Sequence, residues 1–269
     1  MAGLEVSAVT HGVVVAELDR PPGNLWTVGQ GSGNAYLIES GLPSFTDVPW
    51  LSVDPTEVTV APDGSAQLAI QVDSTGLAPG VYRAIVVIQT NDPDASLVQV
   101  PVTLVVPAYQ QGIDSGGGAS TNANGDVFAA DRAYGSGPFG YLGASSTRTT
   151  GAAIAGTVDD GLYQDQRSGM SGYRFDVANG TYRVDLLFAE IQLGKAGQRL
   201  FGVSLEGAVV LPGLDVFAAA GGKNAAYARS FIVTVSDGRV DIGFTPQRGD
   251  KPIINAILVT QLPDGAPGT

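Results

Sequence analysis

The chain has 269 residues, a formal net charge of −12 and no cysteine. An acidic chain without a basic patch argues against nucleic acid and anionic membranes as partners. The lack of cysteine excludes disulfide bonds and thiolate metal sites. No apolar run approaches the roughly 18 residues of a membrane-spanning helix, so membrane insertion is not expected. With 37 glycines and 16 prolines, the composition favours an all-β fold with many turns, arranged as about two domains.

Residues 1–106 form the first predicted domain, a succession of short strands bounded by Gly, Pro or Asp. Flanking Gly, Pro or Asp residues mark candidate strands at 13–18, 35–38 and 57–60. Period-two alternation predicts strands at 66–72 and 82–88, and 98–106 is predicted as the final strand. Pro101 indicates an edge position for the last of them, and we expect Trp50 and Tyr82 to pack in the core or at its edge. The runs WLSVDP, GLAPGVYRAIVVIQTNDPD and VPVTLVV resemble immunoglobulin-like repeats of bacterial surface proteins. The resemblance implies a β-sandwich that acts as a spacer.

Residues 107–112 are predicted to be a short linker that permits a limited range of angles between the domains. A second sandwich is predicted at 113–262, followed by a tail at 263–269. It opens at 113–118 with a strand that runs into a glycine cluster. Such a cluster cradles phosphate only at a helix N-terminus, and no helical pattern follows. The stretch 121–155 is weakly periodic and predicts a long loop with a function or well-packed side chains.

The stretch that organises the second domain is 179–206. Tyr182 opens an alternating run that ends at Phe188, and a second such run begins at Phe201. This pattern predicts two half-buried antiparallel strands that form a hairpin around a polar loop at 189–198. A second hairpin is predicted from 231–235 and 240–244 across the Ser-Asp-Gly turn at 236–238. The segment 253–259 is predicted to close the sandwich.

Several segments of the second domain carry a family resemblance. They are IDSGGG at 113–118, LYQDQR at 162–167, YRVDLLFAE followed by RLFGVSLEG and LPGLDVF, and DKPIINAILV at 250–259. In this order they resemble the malectin family of carbohydrate-binding β-sandwiches. The resemblance covers about 113–262. Together with the strand patterns, the linker and the immunoglobulin-like resemblance of the first domain, it implies two β-sandwich domains in tandem, the first immunoglobulin-like and the second a malectin-like jelly roll.

The resemblance also implies where a sugar binds. The family's site uses tyrosines from loops that precede the central strands, an aromatic pair directly after FAE, and an aspartate before the last strand. The matching positions in this chain are Tyr141 (or Tyr134, if the loop aligns otherwise), Tyr163, Gln192, Leu193 and Asp250. The pair after FAE is therefore an amide and an aliphatic side chain here. This departure removes two stacking surfaces and puts the family's disaccharide specificity in question.

Each of these residues also has a purely structural interpretation. Tyr163 can be a strand-edge residue with a packed ring, and Asp250 can be a turn residue before Lys251. Arg167 and Arg199 can pair with carboxylates or contact a ligand, and the sequence does not separate these alternatives.

Catalysis is not expected. The only histidine is His11, so Ser-His-Asp triads and His-based zinc sites lack their parts. A carboxylate pair, Glu190 with Asp250 or Asp165, would be needed for glycoside hydrolysis. We expect Glu190 instead to support the loop by hydrogen bonds. No cofactor is predicted apart from a structural calcium ion, for which the Asp159-Asp160 patch alone offers too few of the six to eight oxygens that calcium prefers.

The sequence thus predicts a non-catalytic module of a secreted or cell-surface bacterial protein. It would bind glucose-type or related oligosaccharides or polysaccharides weakly, beside other domains of a larger surface protein. The alternative is a structural or adhesive module that contacts another protein without binding sugar.

Overall fold

A computed structural model describes residues 14–17, 48–60, 64–90 and 97–266, with only the backbone described at 14–17. The chain divides into two compact units, 1–106 and 107–269. The predicted strand at 35–38 and His11 lie outside the described residues.

The described part of the first unit consists of antiparallel strands of four to ten residues. In its described part these are β1 (Val14–Glu17), β2 (Leu51–Asp54), β3 (Ala69–Val72), β4 (Gly80–Gln89) and β5 (Leu97–Val106). They form one sheet in the order β1-β4-β5 and a two-stranded sheet of β2 and β3. The strand predicted at 57–60 is wrong, since those residues are in no strand.

The core of the first unit is built around an aromatic pair. The rings of Trp50 and Tyr82 meet edge to face with their centroids 6.2 Å apart, as the prediction of a core or edge role requires. Pro101 lies on β5, opposite Ile85 of β4. Among the described residues, β5 is the outermost strand of its sheet. A residue without a backbone N–H fits that place.

The second unit is almost entirely β. Its strands are β6 (Gln110–Asp114), β7 (Ser120–Thr121), β8 (Val127–Ala130), β9 (Phe139–Leu142), β10 (Ser146–Thr149), β11 (Asp165–Ser168), β12 (Gly172–Asp176), β13 (Gly180–Ala189), β14 (Arg199–Leu205), β15 (Ala208–Leu214), β16 (Ala226–Val235), β17 (Arg239–Gly249), β18 (Ile253–Ile254) and β19 (Ala256–Leu262). Two short helices, α1 (Gly161–Gln164) and α2 (Val216–Ala220), interrupt them.

Two larger sheets enclose the main core of this unit. One has the order β15-β14-β17-β12-β9 and the other β16-β13-β19-β6-β8-β7, while β10, β11 and β18 form a small third sheet. The alternating residues of β13 and β14 are buried as predicted, and Phe188 meets Phe201 with ring centroids 6.2 Å apart. Burial of one face of each strand against the other sheet supplies the hydrophobic stabilisation of the sandwich.

Neither predicted hairpin forms. β13 pairs with β16 and β19, whereas β14 pairs with β15 and β17. β16 and β17 also belong to different sheets. The connections at 190–198 and 236–238 therefore cross from one sheet to the other. Alternation predicts only that one face of a strand is buried. The strand after a short turn can lie beside the first strand in the same sheet, or it can lie in the opposite sheet with the two buried faces packed together.

Two further boundaries differ from the prediction. β6 begins at Gln110 and pairs with β19, so only residues 107–109 separate the last strand of the first unit from the first strand of the second. The predicted long loop at 121–155 contains β8, β9 and β10 as well as the end of β7. These strands are short and lie largely at the edges of the sheets. A strand at an edge can form with only a weak alternation of apolar and polar residues.

A second, smaller cluster covers the outer face of the six-stranded sheet. Ile257 and Val259 of β19 point into the main core, while Ala256 and Leu258 belong to the second cluster. Because side chains alternate across a strand, the two clusters lie on opposite faces of β19. The second cluster also contains Leu162 and Tyr163 of α1 and its neighbours Phe128, Ile154, Ala189 and Ile191.

Candidate functional site

Two connections meet at one end of the second unit, and they carry three of the predicted site residues. The loop 190–198 joins β13 to β14, and residues 250–252 follow β17. The backbone N–H of Asp250 donates to the carbonyl of Gln198 at 2.9 Å. Gln192, Leu193 and Asp250 therefore belong to one surface formed by these two connections, which we call the loop-end surface.

A buried ion pair lies beneath the loop-end surface. The Nε of Arg199 donates to Oε2 of Glu190 at 2.8 Å, and both side chains are 1% exposed. Arg199 also donates from Nη1 to the carbonyl of Lys251, and its Nη2 lies 3.6 Å from Oδ2 of Asp250. Of the alternatives that the sequence left open for Arg199, the structure shows pairing with carboxylates.

The same glutamate holds the loop. Its Oε1 accepts from the backbone N–H groups of Gln192 and Leu193, both at 2.9 Å. The expectation that Glu190 supports the loop by hydrogen bonds is confirmed. Gln192 is exposed and Leu193 half-buried, so an amide and an aliphatic group are offered to solvent at a fixed position.

Tyr141 lies on β9 in contact with a second buried arginine. The Cζ of Arg167 sits 3.7 Å from the centre of the Tyr141 ring, within the range of a cation–π interaction. Arg167 also pairs with Asp131 and donates to Oγ of Ser145 at 2.7 Å. It too is engaged within the protein. The alternative, Tyr134, donates its hydroxyl to Oδ1 of Asp176 at 2.6 Å.

Tyr163 is placed differently from the other predicted residues. It is 6% exposed and packs in the second cluster, and burial raises the pKa of its phenol to about 12. Its ring is therefore packed inside the protein and is not exposed for stacking on a sugar, unlike the site tyrosine that the family resemblance implies. The structural interpretation that the sequence left open, a packed ring, matches this placement.

Asn255 is a structural residue that the sequence reasoning missed. It is fully buried between β18 and β19. Its Nδ2 donates to the carbonyls of Tyr163 and Asp165, each at 2.8 Å, and its Oδ1 accepts from the N–H of Ala189 at 2.7 Å. The signal in the sequence was a single amide within the apolar run IINAILV, since a buried polar group requires partners.

A cavity of about 420 Å³ lies between the end of β15 and α2. Its walls come from the end of β15, from α2 and from Tyr227 of β16. The loop 190–198 contacts this region because the N–H of Gly197 donates to Asp215, the N-cap residue of α2. None of the predicted site residues lines this cavity.

Neither a cluster of metal-ligating residues nor a membrane-spanning helix is found in the described part of the chain. It contains no group of three or more His, Cys, Asp or Glu residues placed to hold a metal ion. In the Asp159-Asp160 patch, Oδ1 of Asp159 accepts from the N–H of Ala123 at 2.7 Å. Nor does any helix among the described residues have the length and apolarity to cross a membrane.

Comparison with known proteins identifies the second unit. The family model described as Malectin domain matches residues 109–261. Receptor-like protein 4 of Arabidopsis thaliana is 34% identical over 112 residues, which is 38% of this chain and 18% of that protein. Kinesin-like protein KIN-14E of Oryza sativa subsp. japonica is 33% identical over 129 residues, or 44% of this chain and 12% of that protein. The chain thus spans less than a fifth of either relative.

Among solved structures, a β-glucuronidase of Bacteroides uniformis matches with a TM-score of 0.52 and 22% identity. The match covers 78% of this chain and 25% of the enzyme. At this identity the likeness concerns the fold alone.

Proposed function

The chain belongs to the Malectin domain family, and on that premise we propose that it is a non-catalytic carbohydrate-binding module. We assign binding to the loop-end surface, with Gln192 and Asp250 as hydrogen-bonding groups and Leu193 as an apolar contact. Sugars present hydroxyl groups and C–H faces, and a site for them combines both kinds of protein group.

The observation that carries this proposal is the buried Glu190–Arg199 pair. It holds the N–H groups of Gln192 and Leu193 on one side and approaches the Asp250 carboxylate on the other. The Asp250 side chain is 38% exposed, so its oxygens reach solvent while the position of the residue is constrained. Groups held in place before binding lose less conformational entropy on binding.

The same pair argues against glycoside hydrolysis. A general acid must reach the glycosidic oxygen, and Glu190 is 1% exposed with both carboxylate oxygens engaged. Of the candidate pair Glu190 and Asp250, only Asp250 is exposed and can contact a ligand. One exposed carboxylate does not make the acid and base, or acid and nucleophile, that hydrolysis requires.

We propose weak binding to glucose-type or related glycans. The surface lacks the aromatic pair of the family, and Tyr141 is half-buried under Arg167. With few contacts we expect a Kd on the order of 1 mM to 1 µM, roughly −4 to −8 kcal/mol. Tight attachment of the parent protein would then require several copies acting together.

The first unit fits a spacer role. We propose an immunoglobulin-like sandwich at about 1–106, a connection of a few residues after Val106, a malectin sandwich that extends to about 262, and a tail. An extracellular or cell-surface position in a bacterial protein, beside other domains, remains part of this proposal.

A glycan array probed with the full chain tests the function. Binding to a defined glycan, measured again by calorimetry, should be lost in Asp250→Ala and weakened in Gln192→Ala. Asp237→Ala is the matched control. It precedes β17 whereas Asp250 follows it, so the two aspartates lie at opposite ends of that strand.

Two outcomes would contradict the proposal. If Asp250→Ala and Gln192→Ala bind like the wild type while Tyr227→Ala does not, the site is the cavity beside α2. If no glycan binds and the chain captures a defined cell-surface protein instead, the module is adhesive. The replacement of the aromatic pair by Gln192 and Leu193 is the feature that favours this second function.

A further inference from the structure

A pair of carboxylates lies beside the turn after β6, away from the loop-end surface. Asp114 ends β6 and is 4% exposed. Its Oδ2 accepts from the hydroxyl of Ser120 at 3.3 Å, but its Oδ1 has no hydrogen-bond partner among the residues that the structure describes. A buried carboxylate oxygen without a partner costs free energy, so something is expected to satisfy it.

The second carboxylate, Asp165, opens β11 and converges on the same space. A Cβ atom added to Gly117 would lie 2.5 Å from Oδ1 of Asp114 and 2.7 Å from Oδ2 of Asp165. The backbone of Gly117 does not have a positive φ. Glycine is therefore needed here for space and not for its conformational freedom. The space that it leaves open is bordered by oxygens from two different strands.

Within the described ranges, no positive side chain forms an ion pair with either carboxylate. The ion pairs among the described residues include neither Asp114 nor Asp165. The nearby Arg167 is committed to Asp131, which also accepts from the N–H of Gly116 at 2.6 Å. Burial, and next the charge of Asp165, raise the pKa of Asp114 to about 7. Two acidic groups thus come together without a compensating cation from the described part of the chain.

We propose that Asp114 and Asp165 bind a calcium ion beside Gly117. The carboxylates supply the charge, and the Ser120 hydroxyl, backbone carbonyls and water are the class of ligand that completes the shell. All of these are hard oxygen donors, which select alkaline-earth ions over zinc or copper. Calcium accepts irregular arrangements of six to eight oxygens, whereas magnesium demands a near-ideal octahedron.

The ion would fasten the turn 115–118 to the start of β11. β6 and β11 belong to different sheets, so the bond would join two parts of the sandwich that share no backbone ladder. This role is structural and does not depend on the sugar-binding proposal.

The test measures thermal unfolding of the full chain after removal of divalent ions with EDTA and dialysis. Calcium chloride at tenfold its Kd should raise Tm by about 3–5 °C in a saturable way, and EDTA should reverse the shift. Magnesium chloride should give a smaller shift. Calorimetry with calcium chloride should give one site per chain.

Variants locate the ion. Asp114→Asn and Asp165→Asn should each lose the calcium shift, whereas the control Asp159→Asn should keep it. Asp165 is half-buried, so Asp165→Asn decides the question even if Asp114→Asn fails to fold. The proposal is overturned by a wild type that shows no shift, by a shift that survives in Asp165→Asn, or by an equal shift with magnesium. A metal-free protein that loses stability from about pH 4 to 7 and shows no calcium shift would show that the carboxyls share a proton instead.

Discussion

Arg199 and Glu190 form an ion pair with 1% of either side chain exposed. The glutamate begins the loop 190–198, and the arginine is the first residue of the strand that follows it. The pair therefore closes the base of the loop. Glu190 also accepts from the N–H groups of Gln192 and Leu193, and Arg199 donates to the carbonyl of Lys251. Removal of either partner would leave the other charged and buried, which is far more costly than loss of a surface pair.

Arg199→Met should lower the free energy of unfolding by about 3–5 kcal/mol, because Glu190 would remain buried without its partner. Arg183→Met is the matched control, since Arg183 pairs with Asp185 but is 45% exposed. Exposed pairs contribute about 1 kcal/mol or less. Urea denaturation of both variants measures the difference. Equal losses in the two variants would show that the buried pair does not hold the loop.

Tyr163→Ala and Tyr182→Ala should both destabilise the protein. Tyr182 is fully buried and Tyr163 is 6% exposed, so each change leaves a cavity and should cost about 3–5 kcal/mol. Val209→Ala, at a position 67% exposed, should change stability by less than about 0.5 kcal/mol. Thermal and urea unfolding measure all three. If Tyr163→Ala is as stable as the wild type, the second cluster does not depend on this ring.

The sequence predicted six segments of the second unit that match β6, β13, β14, β16, β17 and β19, but not the partners of these strands. Alternation at 182–188 and 201–205 located β13 and β14 and identified their buried faces correctly. It did not reveal that the strands lie in opposite sheets, because the same buried face forms in a hairpin and in a sheet-to-sheet crossing. Strand pairing depends on distant segments such as β17 and β19, which no local pattern specifies.

At the candidate site, the sequence predicted the supporting role of Glu190 but not the depth of Tyr163. A tyrosine between Leu162 and the polar run QDQR is compatible with both a surface and a packed position. Its burial follows from β19, whose outward-facing Ala256 and Leu258 complete the second cluster. The sequence also did not determine the partner of Arg199, since Glu190, Asp250 and a ligand can all offer oxygen atoms to a guanidinium group.

Alkaline pH should destabilise the protein partly through Tyr109. Burial, with smaller contributions from Tyr182 and Asp176, raises the pKa of Tyr109 to about 12, above the value of about 10 for an unfolded chain. Between these values the folded state keeps a proton that the unfolded state has lost, so stability falls as pH rises. Tyr109→Phe should show a smaller loss of unfolding free energy between pH 9.5 and 11.5. Identical pH profiles for variant and wild type would contradict this assignment.

Gly249→Ala should disrupt the join between the two connections of the loop-end surface. Gly249 has a φ of +76°, and an added Cβ would lie 2.0 Å from the carbonyl oxygen of Gln198. That carbonyl accepts the N–H of Asp250, so relief of the clash must displace Asp250. Gly238→Ala is the matched control. Its φ is +84°, but the nearest atom to its added Cβ is 3.9 Å away.

Both substitutions impose the strain of a side chain at positive φ, about 1–2 kcal/mol. Only Gly249→Ala adds a steric clash, which should cost a further 1–3 kcal/mol or so. Urea denaturation should therefore rank Gly249→Ala well below Gly238→Ala, and only Gly249→Ala should reduce glycan binding at temperatures where both variants are folded. Equal stability and equal binding in the two variants would contradict this prediction. The backbone at Gln198 and Asp250 could then move without effect, and their hydrogen bond would not shape the loop-end surface.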